Sequence, residues 1–305
     1  MKHFMYMPLT GLGLYKGHRG NRWLRNRIKV FKQFVLPSLE AQTNKNFILW
    51  ISVRYQDRDD KNIKNFKNFL EKQTRLRVVF TYGGVCFWDD KFSDEEARSK
   101  LATALQYSMG DLINIIEECD TVLMTIQPSD DCYHSSAVEE IQNLITENPD
   151  IQGVAYQKGY VMDYLERRIA EWNPTTNPPF YTIKYSREVF IDFYKHMEYT
   201  GPYKSHEYIG EKLKILPLKD RKFIVGIHGE NISTTFNHPF TGHEYLGDNV
   251  NRILSEFGLR WVKPLELKIS FRKMIIKKLP HNWQKKLRFL LGEKFYARIY
   301  NWIRS

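Results

Sequence analysis

Thr121-Val-Leu-Met-Thr-Ile126, followed at once by Gln127-Pro-Ser-Asp-Asp131, is the stretch on which the reading of this chain turns. The first six residues carry no charge and are rich in branched and apolar side chains, so they read as a central strand. The helix expected ahead of it, 94–118, opens on Ser93-Asp-Glu-Glu96, a capping box with acids in the positive first turn. Its apolar positions Leu101, Leu105, Met109, Leu112 and Ile116 recur at helical spacing. Two adjacent carboxylates, Asp130 and Asp131, then stand just past the strand's carboxyl end. In open α/β sheets, that is where ligands bind. A carboxylate pair there can hold a divalent cation, which in turn neutralises a diphosphate. The plainer reading is that one of them caps the next helix.

Outward from this point, strand and helix alternate. Strands are expected at Phe4–Met7, Phe47–Val53, Leu76–Tyr82, Gly153–Tyr156 and Lys222–Ile227, besides Thr121–Ile126. Helices are expected at Trp23–Ser38, Lys61–Gln73, Ser136–Glu147 and Ser186–His196, besides 94–118. Strands separated by helices of this length predict an α/β fold: a mostly parallel sheet with helices on both faces.

The composition excludes several classes. The chain has 305 residues, 42% of them hydrophobic, with Gly at 17 positions and Pro at 12, which rules out disorder, collagen and low complexity. Its longest apolar stretches, such as Phe47–Ile51, fall far short of the ~20 residues that span a bilayer. The apolar run from Phe4 to Leu14 contains Pro8 and lacks a small-residue cleavage site, so it reads as a first strand and loop, not a signal peptide. Cys86, Cys119 and Cys132 match no zinc spacing and suit reduced thiols in a cytoplasmic protein.

The formal charge of +11 is segregated. From Lys263 to Ser305 there are twelve Lys and Arg and two Glu, whereas residues 1–262 hold 34 basic and 33 acidic residues. The expected division is therefore a balanced body, 1–262, and a basic amphipathic helical tail, 263–305. In the tail, Leu267, Phe271, Met274 and Ile275, then Trp283, Leu287, Leu290 and Leu291, then Phe295, Ile299, Trp302 and Ile303 keep a helical period. Such a helix suits an anionic membrane surface, and equally a helical appendage packed on the body. Nucleic acid is disfavoured as a partner, because the main domain carries no matching basic excess.

Taken together, the flanking motifs resemble the GT-A glycosyltransferases, and most closely the bacterial rhamnosyltransferase family. Trp23-Leu24-Arg25, Arg27, Phe31, Leu36-Pro-Ser-Leu39, Gln42-Thr43 and Phe47-Ile-Leu-Trp50 are similar to the family's run between its first two strands. The Ser129-Asp130-Asp131 loop is similar to its metal-binding Asp-x-Asp region, and Ile227-His-Gly-Glu-Asn-Ile-Ser233 to a late His-Gly-x-Asn-x-Ser segment. The ordered set spans roughly residues 3 to 235. Two departures stand out: Ile126, Gln127 and Pro128 occupy the positions where the family reads Arg-Leu-Asp, so the first acid is replaced by Pro128. Pro8-Leu-Thr-Gly11 replaces a Thr-Arg-Phe sequence on the nucleotide floor.

The resemblance implies a GT-A-like (Rossmann-like) fold and an inverting, metal-assisted hexosyltransferase. It implies a nucleotide-sugar donor, of rhamnose or another hexose, and a glycan or lipid-linked acceptor in surface polysaccharide synthesis. Mn or Mg would be held by Asp130, Asp131 and His228. Glu207, with His206 as substitute, would be the base for the acceptor hydroxyl, beside an aromatic loop 172–181. Arg54, Asp57, Arg98 and Asn231 would contact the nucleotide or diphosphate. Arg25 and Arg27 read as helix-surface residues, although an arginine there also offers a diphosphate clamp. The tail would hold the protein, otherwise cytoplasmic, at the inner membrane face. The alternative is a catalytically inactive relative that binds glycan or membrane, which Pro128 favours.

Overall fold

The computed structural model describes residues 1–10, 20–84, 108, 110–116, 119–192, 195, 206–229, 231, 234–261 and 265–267. A mixed ten-stranded sheet forms the centre. Strands β1 (Lys2–Pro8), β2 (Ile48–Arg54), β3 (Arg77–Gly84) and β4 (Thr121–Ile126) are parallel, in the spatial order β3-β2-β1-β4. Beyond β4 the sheet continues antiparallel through β8 (Tyr181–Ser186), β6 (Gly153–Asp163), β7 (Arg168–Trp172) and β10 (Thr241–Tyr245). The short β5 (Cys132–Tyr133) pairs antiparallel with β9 (Ile215–Ile227), which runs parallel to β6. The parallel character expected from the alternation of elements thus holds in the half built from β1 to β4. The other half reverses direction because connections such as 164–167, between β6 and β7, are too short for a crossover helix.

Side chains alternate cleanly through the parallel half. Met5, Met7, Leu49, Ile51 and Leu123 face one layer of helices: Gly20–Val30 and its continuation to Glu40, Lys61–Gln73, and Ala137–Glu147. Phe4, Tyr6, Ile48, Trp50, Val122 and Met124 face the other side, against Leu112, Ile116, Phe190, Ile209 and Leu213. With both faces covered, the middle of each strand is apolar on both sides, so β1, β2 and β4 lack regular polar alternation. Each fully buried Phe, Leu or Ile contributes about 1.5–3 kcal/mol relative to exposure.

A third cluster carries the site's outer wall. Val30 and Phe34 pack with Cys132, Met162, Tyr164, Ile224, Ile253, Leu254 and Phe257. The rings of Phe34 and Tyr164 stack at 3.8 Å. The first helix runs from Gly20 to Glu40 without a break, switching to a wider π-type turn over Phe31–Val35. Leu265 is buried in the same cluster, and Lys29 Nζ donates to the Glu266 carbonyl at 2.8 Å. The chain therefore still packs on the body just past the boundary expected at 263. Most of helix 94–118, and the tail beyond residue 267, lie outside the described residues. Among the described residues, no helix is long and apolar enough to cross a membrane.

Candidate functional site

The loop after β4 is held from every side. The Gln127 amide extends the β1–β4 ladder by donating to the Tyr6 carbonyl at 2.8 Å. Gln127 Nε2 donates to the Pro128 carbonyl at 2.8 Å and to the Asp131 carbonyl at 2.9 Å, closing the turn on itself. Tyr133, one residue into β5, donates its hydroxyl back to the Ile126 carbonyl at 2.7 Å. The Tyr164 hydroxyl, oriented by the stack on Phe34, donates to the Asp130 carbonyl at 2.8 Å. Gly226 in β9 lies flat against this turn: a Cβ there would sit 2.2 Å from the Asp130 carbonyl oxygen. Only glycine allows that approach.

The two carboxylates have separate surroundings. Asp131 is buried and accepts the Gly226 amide on Oδ1 at 2.8 Å. Burial and the neighbouring Asp130 charge push its pKa well above the usual carboxylate range, against the opposing pull of the Gly226 amide and Arg27. Asp130 points the other way. Its Oδ2 forms an ion pair with Arg27 Nη1 and lies 3.0 Å from His228 Nε2. Burial alone would raise its pKa, but the Arg27 charge and the His228 hydrogen bond more than offset this and hold it below the usual range. Asp130 is thus the ionised member of the pair. An ionised carboxylate only accepts, so His228 Nε2 carries its proton toward Asp130. Neither acid caps the helix Ala137–Glu147, whose preceding residue is Ser136.

Arg27 was expected on a helix surface. It is instead 2% exposed, on the face formed by Trp23, Val30 and Phe34, which are all buried, and its guanidinium stands 5.2 Å from the Trp23 ring centre. The sequence signal was an arginine four residues after Trp23 inside an apolar stripe. Arg25, by contrast, is exposed as expected.

The donor set does not fit a divalent ion. The Asp130 oxygen facing His228 is already taken by a guanidinium, and the imidazole nitrogen facing Asp130 offers a proton instead of a lone pair. Asp131 is turned onto a backbone amide, and proline stands where a further acid would be. Among the described residues, no three His, Cys, Asp or Glu side chains are grouped to hold a metal ion.

The remaining expected residues fall into place unevenly. Asn231 is spent on its own turn: Oδ1 accepts the His228 amide at 2.8 Å and Nδ2 donates to the Gly226 carbonyl at 2.6 Å. It shapes the loop that presents His228, with one Nδ2 hydrogen and one Oδ1 lone pair beyond those two bonds. Arg54, the last residue of β2, and Asp57 just after it form a two-pronged pair with both contacts at 2.8 Å. Arg98 lies outside the described residues. Glu207 is exposed on the short turn His206–Tyr208, 3.5 Å from the Thr176 hydroxyl, and His206 Nδ1 bonds to the Asn177 carbonyl. Burial lowers the His206 pKa, an effect partly opposed by that carbonyl. Glu207 and His206 therefore sit against the aromatic loop 172–181. This loop feeds into β8, whose Thr182 is opposite Thr125 in β4, so it leaves the sheet at the edge that carries Asp130. Arg54 ends β2, which runs parallel to β4 through β1, and so reaches that edge too.

Residues 17–80 match the family model described as "Putative rhamnosyl transferase". Over that segment the chain is rhamnosyltransferase-like. The rhamnosyltransferase-like segment carries Arg27, Arg54 and Asp57, and contains β2 with the helices on either side of it. No curated protein matches the chain. Similar solved structures include residues 1–349 of S. aureus TarS, at 13% identity and a TM-score of 0.40, covering 98% of this chain and 81% of that one. A longer S. aureus TarS structure matches at 13% identity and 0.36, covering 98% of this chain and 49% of that one. A 4-diphosphocytidyl-2C-methyl-D-erythritol synthase matches at 9% identity and 0.36, covering 72% and 89%.

Proposed function

We propose that the chain is a glycosyltransferase that moves a hexose, rhamnose among the candidates, from a nucleoside-diphosphate donor to a hydroxyl of a glycan or lipid-linked acceptor. The observation that carries this reading is the gathering of Asp130, Arg27 and His228 at the carboxyl edge of a parallel sheet, within and beside a rhamnosyltransferase-like segment. The donor's diphosphate is assigned to the space between the Asp130 loop and the Arg54–Asp57 pair. The acceptor is assigned to the side of loop 172–181. Glu207 is then the base: as the acceptor oxygen attacks the anomeric carbon, its proton passes to the Glu207 carboxylate and the nucleoside diphosphate leaves with the bonding pair. Attack on the face opposite the leaving group gives inversion. The basic tail, 263–305, supports a role near anionic lipid, where lipid-linked acceptors reside.

Incubation of the full chain with UDP-, GDP- and dTDP-sugars tests the reading by release of the nucleoside diphosphate. Release from one donor class, abolished by Glu207→Gln, is the expected result. No release from any donor, with unchanged glycan binding in Asp130→Asn, supports the non-catalytic relative that Pro128 favours.

A further inference from the structure

The cation on Asp130 is part of the chain itself. Arg27 projects from a helix that is buried on this face, its side chain is 1% exposed, and its partner Asp130 is 16% exposed. Removing a guanidinium from water is costly unless an ionised partner compensates it, and a carboxylate pays the same penalty alone. The pair is therefore mutually required: each charge is retained inside the fold because the other is present. His228 completes the arrangement by donating to the same oxygen, Asp130 Oδ2. The loop backbone is tied down by Gln127, Tyr133 and Tyr164, and the Asp130 side chain is held by Arg27 and His228 on one oxygen.

Resting on the donor-site reading above, we propose that Arg27 takes the place of a divalent cation on Asp130, so that this loop binds no metal and the chain engages a nucleoside diphosphate without one. A guanidinium is always charged and is fixed in position by covalent attachment, and at 1% exposure it neutralises Asp130 from within the fold. It needs neither metal uptake nor the second acid that Pro128 has removed. Losing an acidic ligand lowers the negative charge of the loop by one unit, and the remaining ionised carboxylate is matched by one guanidinium.

Two titrations of the 305-residue chain test this. The first adds Mn2+ alone and follows the paramagnetic resonance signal of the free ion. No saturable binding, or binding that Asp130→Asn leaves in place and so belongs elsewhere, is the expected result. Saturable binding that Asp130→Asn removes overturns the proposal. The second titrates UDP, GDP and dTDP by calorimetry, once in EDTA and once in excess Mn2+. The nucleotide that binds should do so with affinities within about twofold of each other, and a tenfold or greater loss in EDTA overturns the proposal. If no nucleotide binds under either condition, the donor-site reading fails, whereas the Mn2+ titration still decides the assignment of Arg27.

Discussion

Asp130 and Asp131 are neighbours in sequence, yet replacing each by asparagine should move stability in different directions. In Asp130→Asn the amide still accepts a hydrogen bond from His228, but Arg27 is left as a buried guanidinium without a counter-charge. Removing one partner of a buried pair costs about 3–5 kcal/mol. Since Asp130 is 16% exposed, water relieves part of that, and the lower end, about 3 kcal/mol, is expected. At about 3 °C per kcal/mol for a domain of this size, the thermal midpoint should fall by roughly 9 °C at pH 7. The sign with pH follows from the direction of the shift. The Asp130 carboxyl is held below its unfolded value, so its stabilisation is fully present above the unfolded pKa and is lost as pH falls through the folded one. The gap between wild type and Asp130→Asn should thus be constant near neutrality and begin to close below about pH 4. Asp131 is the opposite case. Its pKa is raised by burial and by the Asp130 charge, so its ionisation opposes folding above the unfolded value. Asp131→Asn keeps an oxygen for the Gly226 amide and removes that ionisation, so it should be at least as stable as wild type at pH 7. Calorimetric melts at pH 7 and pH 3 read both effects. Equal losses in the two variants, or none in Asp130→Asn, would refute the assignment of charge.

Three further outcomes follow from the site. Gly226→Ala places a methyl against the Asp130 carbonyl and the Tyr164 ring, and should cost about 1–3 kcal/mol in denaturant unfolding while displacing the loop. Arg54→Met should weaken nucleotide binding at least tenfold by calorimetry, and should also lower stability by about 1–3 kcal/mol, because it strips the buried Asp57 of its two-pronged partner. Glu207→Gln should lower transfer about 10²–10⁴-fold with nucleotide affinity unchanged; a loss in affinity instead would make Glu207 a donor contact.

The sequence made some of this architecture readable and hid the rest for physical reasons. Thr121–Ile126 and Lys61–Gln73 carry their full signal locally, in an uncharged apolar run and in a helical stripe of Ile63, Phe66 and Leu70, and both have the bounds expected of them. β7 was not visible: Arg168-Ile-Ala-Glu-Trp172 is short and interrupted by charge because Arg168 pairs across the sheet with Glu244. Strand direction beyond β4 depends on pairing partners, which periodicity does not encode. In the site, the meeting of Asp130 with His228 was expected from the motifs. The turning of Asp131 onto Gly226 was not, because it depends on β5 pairing with β9. Arg27 was hidden by the ordinary rule that charged helix residues face water; only its place in the Trp23–Val30–Phe34 stripe marks it as an exception.

The central claim is that the Asp130 loop is part of a nucleoside-diphosphate donor site. The most direct measurement is calorimetric titration of the 305-residue chain with UDP, GDP and dTDP, repeated with Asp130→Asn at a temperature where that variant remains folded. The account predicts saturable binding of one nucleotide to the wild type and an affinity shifted by tenfold or more in the variant, because the ionised carboxylate beside the diphosphate is gone. Binding of none of the three to a folded wild-type chain, or equal binding to both proteins, would contradict it.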